Sequence, residues 1–533
     1  MSNTPSSDAP WWKKGVFYQI YPRSYMDRNG NGIGDMSGIT DRLKYVADLG
    51  IDGIWISPFF ASPMADFGYD VSDYRTVDPL FGTNEDFDAL LAKAQDLGMK
   101  VIIDMVLSHT SKEHAWFKES RLGQDNRKAD WYVWADAKPD GTPPNNWQSV
   151  FGGAAWTFDT KRGQYYMHNF LSDQPDLNFH CEAVQNQILS ECEYWLERGV
   201  NGFRLDTVNF YVHDDELRDN PPRDPNTLST GVQVEAPYPY TMQNHVYDKS
   251  RPENMDFLRK LRALMDKYDD TMTIGEIGDD DPYKLAGVYT DGAELLHTTY
   301  NTHLMQGTSA GNVTRDIIES PFKEFAKQPG NGWPSWAFSN HDVVRSATRW
   351  GKGIKDKDGI AVLLNKLLLS LRGTPFLYQG EELGLPEANI PFEKLQDPWG
   401  IFMWPEWQGR DGCRTPMPWK RDALHAGFSQ TNDSSIETWL PIPSEHANRA
   451  VDKQEKNQDS VLNQTREFIK WRKTKPVLQT GEIEFLDTKS DSLIAFHRWN
   501  EDEKILCIFN LTEESVEFEG HKAGPLSATF KNL

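Results

Sequence analysis

Short, nearly continuous apolar runs recur along the chain: Val16 to Tyr21, Gly53 to Ser57, Val101 to Val106, Gly202 to Asp206, Thr271 to Glu276, Ala293 to Thr298, Ser335 to Ser339 and Pro375 to Tyr378. Runs this short and this apolar read as strands buried on both faces. Between them the apolar period changes. Ile39, Leu43, Val46 and Leu49 follow helical spacing after the first run, and Phe87, Leu90, Leu91 and Ala94 after the second. Eight strands alternating with helices predict an α/β fold, a (β/α)8 TIM barrel.

Two intervals between strands are too long for ordinary loops: His109 to Leu177 after the third strand, and Phe210 to Pro252 after the fourth. The first predicts a small inserted domain over 109–176. The second, 210–252, carries Asp214-Asp215-Glu216, Pro221-Pro222-Arg223-Asp224-Pro225 and Pro237-Tyr238-Pro239-Tyr240. Proline and charge make it a poor core element, and it reads as a lid-like excursion lining a pocket mouth. Near residue 478 the chain changes character. Glu482 to Leu486, Leu493 to Trp499, Ile505 to Leu511 and Val516 to Phe518 are β-rich runs parted by charged turns, which predict a C-terminal antiparallel β-domain over 478–533. The barrel is then assembled from 1–108 and 177–477.

Charge narrows the partners. A formal net charge of -23 repels phosphate, which argues against nucleic acid and anionic membranes and leaves neutral substrates unaffected. The 19 Trp and 19 Tyr are enough to line stacking surfaces as well as to fill a core. Cys181, Cys192, Cys413 and Cys507 form no C-x-x-C pair, so neither a zinc site nor a disulfide framework is indicated. The first ten residues lack a signal-peptide pattern, and no apolar run is long enough to span a bilayer. The expectation is a cytoplasmic protein without membrane contact, a monomer or small homo-oligomer.

Three carboxylates close apolar runs: Asp206 in Gly202-Phe203-Arg204-Leu205-Asp206, Glu276 in Thr273-Ile274-Gly275-Glu276, and Asp342 in Phe338-Ser339-Asn340-His341-Asp342. The carboxyl ends of parallel barrel strands share one face, so the three acids converge. Grouping like charges is unfavourable and suits chemistry in which one acid is ionised while another holds a proton. Glycoside hydrolysis makes that demand. Arg204, two residues before Asp206, points to the same face and is expected to keep Asp206 ionised. Proximity to Asp206 and Asp342 is expected to raise the pKa of Glu276.

Asp104-Met105-Val106-Leu107-Ser108-His109, Gly202 to Asn209, Gly275-Glu276 and Phe338 to Asp342, in this order, resemble the signature regions of the α-amylase superfamily of glycoside hydrolases. Gln174-Pro175-Asp176-Leu177-Asn178-Phe179 resembles a further signature of its oligo-1,6-glucosidase and α-glucosidase branch. The likeness runs from Tyr18-Gln19-Ile20-Tyr21-Pro22-Arg23-Ser24 to the terminal β-domain. It implies that Asp206 is the nucleophile, Glu276 the general acid and then base, and Asp342 a transition-state stabiliser gripping sugar hydroxyls. It also implies that His109 and His341 hydrogen-bond the sugar on the non-reducing side of the cleaved bond. Asp66 and Arg410, in preference to Arg414, would hold the outermost hydroxyl, Tyr69 would stack on the ring, and Phe151 and Phe170 would line the pocket. Thr207 is similar to the branch that prefers α-1,4 bonds, whereas Val at that place accompanies α-1,6 preference.

The resemblance thus implies a retaining exo-α-glucosidase acting on small neutral oligosaccharides such as maltose, with glucosyl transfer to hydroxyl acceptors. An oligo-1,6-glucosidase or a sucrose or trehalose isomerase on the same core is the alternative within enzymes. Transporter-associated relatives that have lost the catalytic acids are a different class, and the three acids argue against it. Asp27-Arg28-Asn29-Gly30-Asn31-Gly32-Ile33-Gly34-Asp35 sets oxygen-bearing side chains at alternating positions, as a calcium loop does, although Gly38 stands where an EF-hand carries Glu. By resemblance to a metal loop of relatives, Asp27, Asn29, Asn31, the Ile33 carbonyl and Asp35 would hold one structural Ca2+ or Mg2+. No organic cofactor is expected.

Overall fold

The computed structural model describes residues 9–224, 238–301, 304–305, 313–328 and 332–533. Its centre is a closed barrel of eight parallel strands, Phe17–Ile20, Gly53–Ile56, Lys100–Met105, Gly202–Leu205, Met272–Glu276, Thr298–Asn301, Pro334–Ala337 and Thr374–Tyr378. Each pairs with its neighbours in chain order, and the first closes on the eighth, with Phe17 opposite both Gly53 and Phe376. Seven strands fall on the apolar runs that predicted them. The sixth begins at Thr298, where the run Ala293 to Thr298 ends, because Leu295 and Leu296 pack beneath the preceding helix in a turn tied by Leu296 N to Tyr289 O. Apolar burial there reports packing, not strand.

A helix follows every strand. Met36–Leu49 and Asn84–Asp96 carry the two helical periodicities noted above. Asp35 caps the first by accepting from Gly38 N, and Thr83 with Asp86 forms a capping box on the second. Gly202 opens the fourth strand at φ 134°, and a Cβ there would stand 1.8 Å from Met272 O on the fifth strand. Only glycine permits that approach, and it seats the two strands that carry Asp206 and Glu276 side by side.

The barrel interior is packed. Trp55, Tyr300 and Phe376 meet edge to face inside it, and Trp12 plugs the N-terminal mouth, its carbonyl accepting from Thr374 Oγ1. With that end filled, the described residues leave the pocket at the carboxyl ends of the strands.

Between the third strand and the helix Glu182–Glu197 lies a three-stranded antiparallel sheet, ordered Trp134–Ala135, Gln164–Met167, Trp156–Asp159. The segment leaves and returns at one place, where His109 bridges Asp176. The excursion 210–252 is described outside 225–237; that stretch of the proposed lid lies outside the described residues. The part from 238 to 249 contradicts the expectation of a poor core element: Tyr240, His245, Asp248 and Lys249 are buried, with His245 against Asp248 Oδ2 and Lys249 donating to the Tyr240 hydroxyl. The chain ends in a four-stranded antiparallel sheet of Glu482–Phe485, Leu493–Trp499, Lys504–Asn510 and Ala528–Asn532. Its last strand, where Ala528 and Phe530 alternate with Thr529 and Lys531, was not among the runs read from the sequence. Buried Arg498 laces the sheet to the barrel by donating to Ser370 O and Gly481 O.

Candidate active site

Asp206 follows the fourth strand and Glu276 ends the fifth, where Gly275 lies opposite Leu205. Thr207 turns the chain sharply between them, at φ 39° and ψ 51°, a left-handed conformation that β-branched residues rarely adopt. The turn brings Thr207 N to 3.3 Å from Glu276 Oε2 and lets Thr207 Oγ1 donate to Asp206 Oδ2 at 3.2 Å.

Arg204 points inward beneath both acids. Its Nη1 donates to Asp206 Oδ1 at 2.7 Å and to Asp104 Oδ1 at 2.8 Å, and its Nη2 lies 2.6 Å from Glu276 Oε2. One guanidinium serves three carboxylates, so it is not dedicated to keeping Asp206 ionised. Burial pushes Asp206 up to about 7, Arg204 opposing it and Asp104 and Asp342 adding to it. Glu276 also rises to about 7, chiefly by burial, with Asp206 and Asp342 contributing less than sequence reasoning assigned them. Both acids are thus raised towards neutrality, mainly by burial and against the pull of Arg204.

Asp342 is held differently. Burial pushes it up, but His341, Arg410, Arg414 and Arg204 outweigh burial and hold it well below the usual carboxylate range. Arg410 Nη1 donates to Asp342 Oδ1 at 3.2 Å and Arg414 Nη2 to the same oxygen at 2.8 Å. Arg410 Nη2 also donates to Asp66 Oδ1 at 2.9 Å and to Asp397 Oδ1 at 2.7 Å. Arg410 lines the pocket, whereas Arg414 stacks below it against Tyr21 and Phe67. Burial lifts Asp66 to about 6 against the pull of Arg410.

His341 Nδ1 faces Gln19 Nε2 at 2.8 Å, which puts the imidazole proton on Nε2, 3.2 Å from Asp342 Oδ2 and beside the Tyr69 hydroxyl. Burial lowers His341 to about 3 and His109 to about 4, so both are neutral. Six carboxylates, Asp66, Asp104, Asp206, Glu276, Asp342 and Asp397, therefore face three guanidinium groups, Arg204, Arg410 and Arg414. The surplus is negative, and it favours a positive charge developing in the pocket.

The pocket encloses about 970 Å³, part of it open to solvent. All the residues singled out for catalysis or sugar contact line it except Arg204 and His341. Those two, fully buried, act one layer down through the acids they touch. Phe151 packs against Trp399 with ring centroids 5.0 Å apart and against Phe170 at 5.8 Å, forming an aromatic wall. Sequence reasoning missed Asp104, Gln174, Tyr240, Asn340, Asp397 and Trp399. Asp104, Gln174, Tyr240 and Asn340 all stand inside segments quoted above, so a signal was present. Asp397 caps, and Trp399 belongs to, the short helix Pro398–Met403 after the last barrel strand, which was not read from the sequence.

The 27–35 loop lies after the first strand, away from the pocket. Asp27 Oδ1 accepts from Gly30 N and Oδ2 from Gly32 N, while Asn29 Oδ1 and Asn31 Oδ1 accept from the N–H two residues on. Asp35 Oδ2 accepts from Arg28 N and Asn29 N. Asp27 Oδ1 and Asp35 Oδ2 each accept two N–H bonds, whereas Asp27 Oδ2, Asn29 Oδ1 and Asn31 Oδ1 accept one each and keep a lone pair of the kind a hard cation takes. Among the described residues no group of three or more His, Cys, Asp or Glu is arranged to hold a metal, so an ion here would depend on Asn and carbonyl oxygens as well.

A probable alpha-glucosidase of Rhizobium meliloti (strain 1021) is 52% identical over 524 residues, spanning 97% of this chain and 93% of its own. An oligo-1,6-glucosidase of Heyndrickxia coagulans is 38% identical over 544 residues, spanning 96% and 93%. The crystal structure of the alpha-glucosyl transfer enzyme XgtA superposes with a TM-score of 0.91 at 50% identity, covering 96% of this chain and 93% of that one. Residues 19–481 match the family described as Alpha amylase, catalytic domain, and the chain belongs to it.

Proposed function

We propose that the protein is a retaining exo-α-glucosidase that releases α-glucose from the non-reducing end of short α-1,4-glucosides such as maltose and also transfers glucose to hydroxyl acceptors. The observation that carries the reading is the Arg204 bridge between Asp206 and Glu276, which holds the two acids on one guanidinium while Asp342 is kept ionised by a separate pair of arginines. In this mechanism Glu276 protonates the leaving oxygen as Asp206 attacks the anomeric carbon, giving a covalent glucosyl ester. Glu276 then takes a proton from water or a sugar hydroxyl, which displaces Asp206 and restores the α configuration. Asp342 and the negative surplus stabilise the oxocarbenium-like transition states. A buried Asp66–Arg410 pair in the pocket lining, placed to hold a terminal sugar hydroxyl, supports action on chain ends. The transfer activity named for XgtA supports the acceptor branch.

One structural Ca2+ or Mg2+ at Asp27, Asn29, Asn31, the Ile33 carbonyl and Asp35 belongs to the same proposal, supported by the oxygen-rich loop. So does a cytoplasmic location, supported by four unpaired cysteines. Among the described residues no helix is long and apolar enough to cross a membrane.

A proton NMR time course with maltose and isomaltose in parallel tests the reading. Early α-glucose, mainly from maltose, is the expected result. Faster isomaltose cleavage would reassign the linkage and favour the oligo-1,6-glucosidase alternative, and early β-glucose would overturn the double displacement.

A further inference from the structure

Lys249 is a buried cation that the proposed chemistry does not use. Only 4% of it is exposed, although it comes from the excursion that sequence reading assigned to the surface. Lysine is rarely found this deep unless its amine is engaged. Its Nζ donates to the Tyr240 hydroxyl at 2.9 Å and to the Gly278 carbonyl at 2.9 Å, and it sits 5.0 Å from the Phe210 ring centroid.

Those three partners come from three different segments, and all three line the pocket. Phe210 belongs to the turn after the fourth strand and Tyr240 to the excursion. Gly278 stands two residues beyond Glu276. The Gly278 peptide is fixed from a second side by Asn209, whose Nδ2 donates to its carbonyl and whose Oδ1 accepts its N–H, both at 3.1 Å. Tyr240 is fixed from behind as well. His245 stacks on its ring with centroids 3.8 Å apart, 2.6 Å from Asp248 on one side and 2.8 Å from the Tyr240 carbonyl on the other.

Gly278 stands two residues beyond Glu276, and Lys249 ties Tyr240 and Phe210 to it, so this wall is anchored beside the acid. Asp66 and Arg410 pair with each other and, through Arg410, with Asp342. Because Glu276 serves both the oxygen that leaves and the hydroxyl that later arrives, a wall anchored beside it borders the acceptor. We propose that Lys249 is a positioning residue for the acceptor: by clamping Tyr240 to the Gly278 carbonyl it gives the acceptor side one shape, and so sets how the glucosyl-enzyme divides between water and a sugar hydroxyl. Water reaches the anomeric carbon without an ordered wall, whereas a sugar acceptor must be oriented, so a loosened wall costs transfer more than hydrolysis. The inference rests on the glucosidase reading above.

The test uses α-glucosyl fluoride as donor, because its one-atom leaving group forms the glucosyl-enzyme without leaning on the acceptor wall. Maltose is then titrated as acceptor, and fluoride, glucose and oligosaccharide products are counted. For Lys249→Met the maltose concentration that diverts half the flux to transfer should rise at least fivefold, while fluoride release without acceptor stays within twofold of wild type. Tyr240→Phe removes the other end of the clamp and should also shift the partition towards hydrolysis. If Lys249→Met does not fold, the Tyr240→Phe partition decides alone. An unchanged partition in the folded variants, or a fall in transfer matched by an equal fall in fluoride release, would overturn the assignment. A wild-type enzyme that releases no fluoride would instead sink the glucosidase reading.

Discussion

Arg204 Nη2 stands 2.6 Å from Glu276 Oε2, a cation held against the residue assigned to carry the catalytic proton. A cation there favours the ionised form, and burial exceeds it, so Glu276 stays high at about 7. Arg204→Lys would replace a fork that reaches Asp104, Asp206 and Glu276 at once with a single ammonium that cannot reach all three. Activity should fall at least 100-fold, and the alkaline limb of the kcat/KM profile should move to higher pH as Glu276 loses the nearby positive charge. A lysine variant with an unmoved pH profile would show that Arg204 does not tune the pair.

Asp206→Ala tests the nucleophile. Turnover should vanish, and sodium azide should partly restore it by entering the space of the missing carboxylate, giving β-glucosyl azide. Rescue with an α product would place the covalent bond elsewhere.

The barrel was legible because its strands are buried on both faces and so write continuous apolar runs, and because Asp206 and Glu276 close two of those runs and Asp342 follows a third by three residues. The same logic failed at Ala293 to Thr298, where apolar side chains packing in a turn imitate a strand. Electrostatics were less legible. That Arg204 lies near Asp206 follows from a spacing of two on one strand, but that it also meets Asp104 and Glu276 depends on neighbouring strands in the closed barrel. Asp397 and Lys249 were invisible for a related reason: each gains its role from a partner far along the chain, Arg410 or Gly278, and no local pattern announces it.

Thr207→Val removes the hydroxyl that donates to Asp206 Oδ2 and meets Ser108 Oγ at 3.2 Å, while keeping the branched shape in the left-handed turn. Both maltose and isomaltose cleavage should slow through the lost contact to Asp206, so the ratio is the informative quantity. The maltose-to-isomaltose ratio of kcat/KM should drop about 10-fold, as one or two kcal/mol of discrimination allows. A ratio that stays level would remove Thr207 from the determinants of linkage.

Glu276→Gln separates function from stability. With an aryl glucoside whose leaving group needs no protonation, glucosylation should survive far better than with maltose, and equal losses would argue against Glu276 as the acid. For stability, the folded-state pKa lies above the unfolded value, so the folded protein binds the extra proton between about 4.5 and 7. The wild type is therefore at its most stable, as far as this group is concerned, below pH 4.5, and loses that contribution as pH rises through 7. Glutamine cannot ionise, so the variant should be more stable than wild type at pH 8, by about 1–3 kcal/mol. The 16% exposure of the Glu276 side chain to the pocket favours the lower half of that range. The gain should shrink towards zero at pH 4.5, which paired denaturant melts at the two pH values would read.

The 27–35 loop calls for a test that leaves its hydrogen bonds intact. Asp27→Ala would remove acceptors for Gly30 N and Gly32 N as well as a ligand, so loss of stability in that variant has two causes. Chelation touches only the ion. Dialysis against EDTA should lower the melting temperature by a few degrees, since a ligand present at about 100 times its Kd stabilises by roughly 2.7 kcal/mol and each kcal/mol moves a large domain by about 2–4 °C. Calcium or magnesium added in excess of the chelator should restore it, and the cation that does so at the lower concentration identifies the occupant. Glucosyl fluoride hydrolysis at a temperature well below the melt should hardly change, because the loop lies outside the pocket. A melting temperature indifferent to EDTA would reduce the loop to what its internal bonds already make it, a turn braced by Asp27 and Asp35 that delivers the chain into the helix Met36–Leu49.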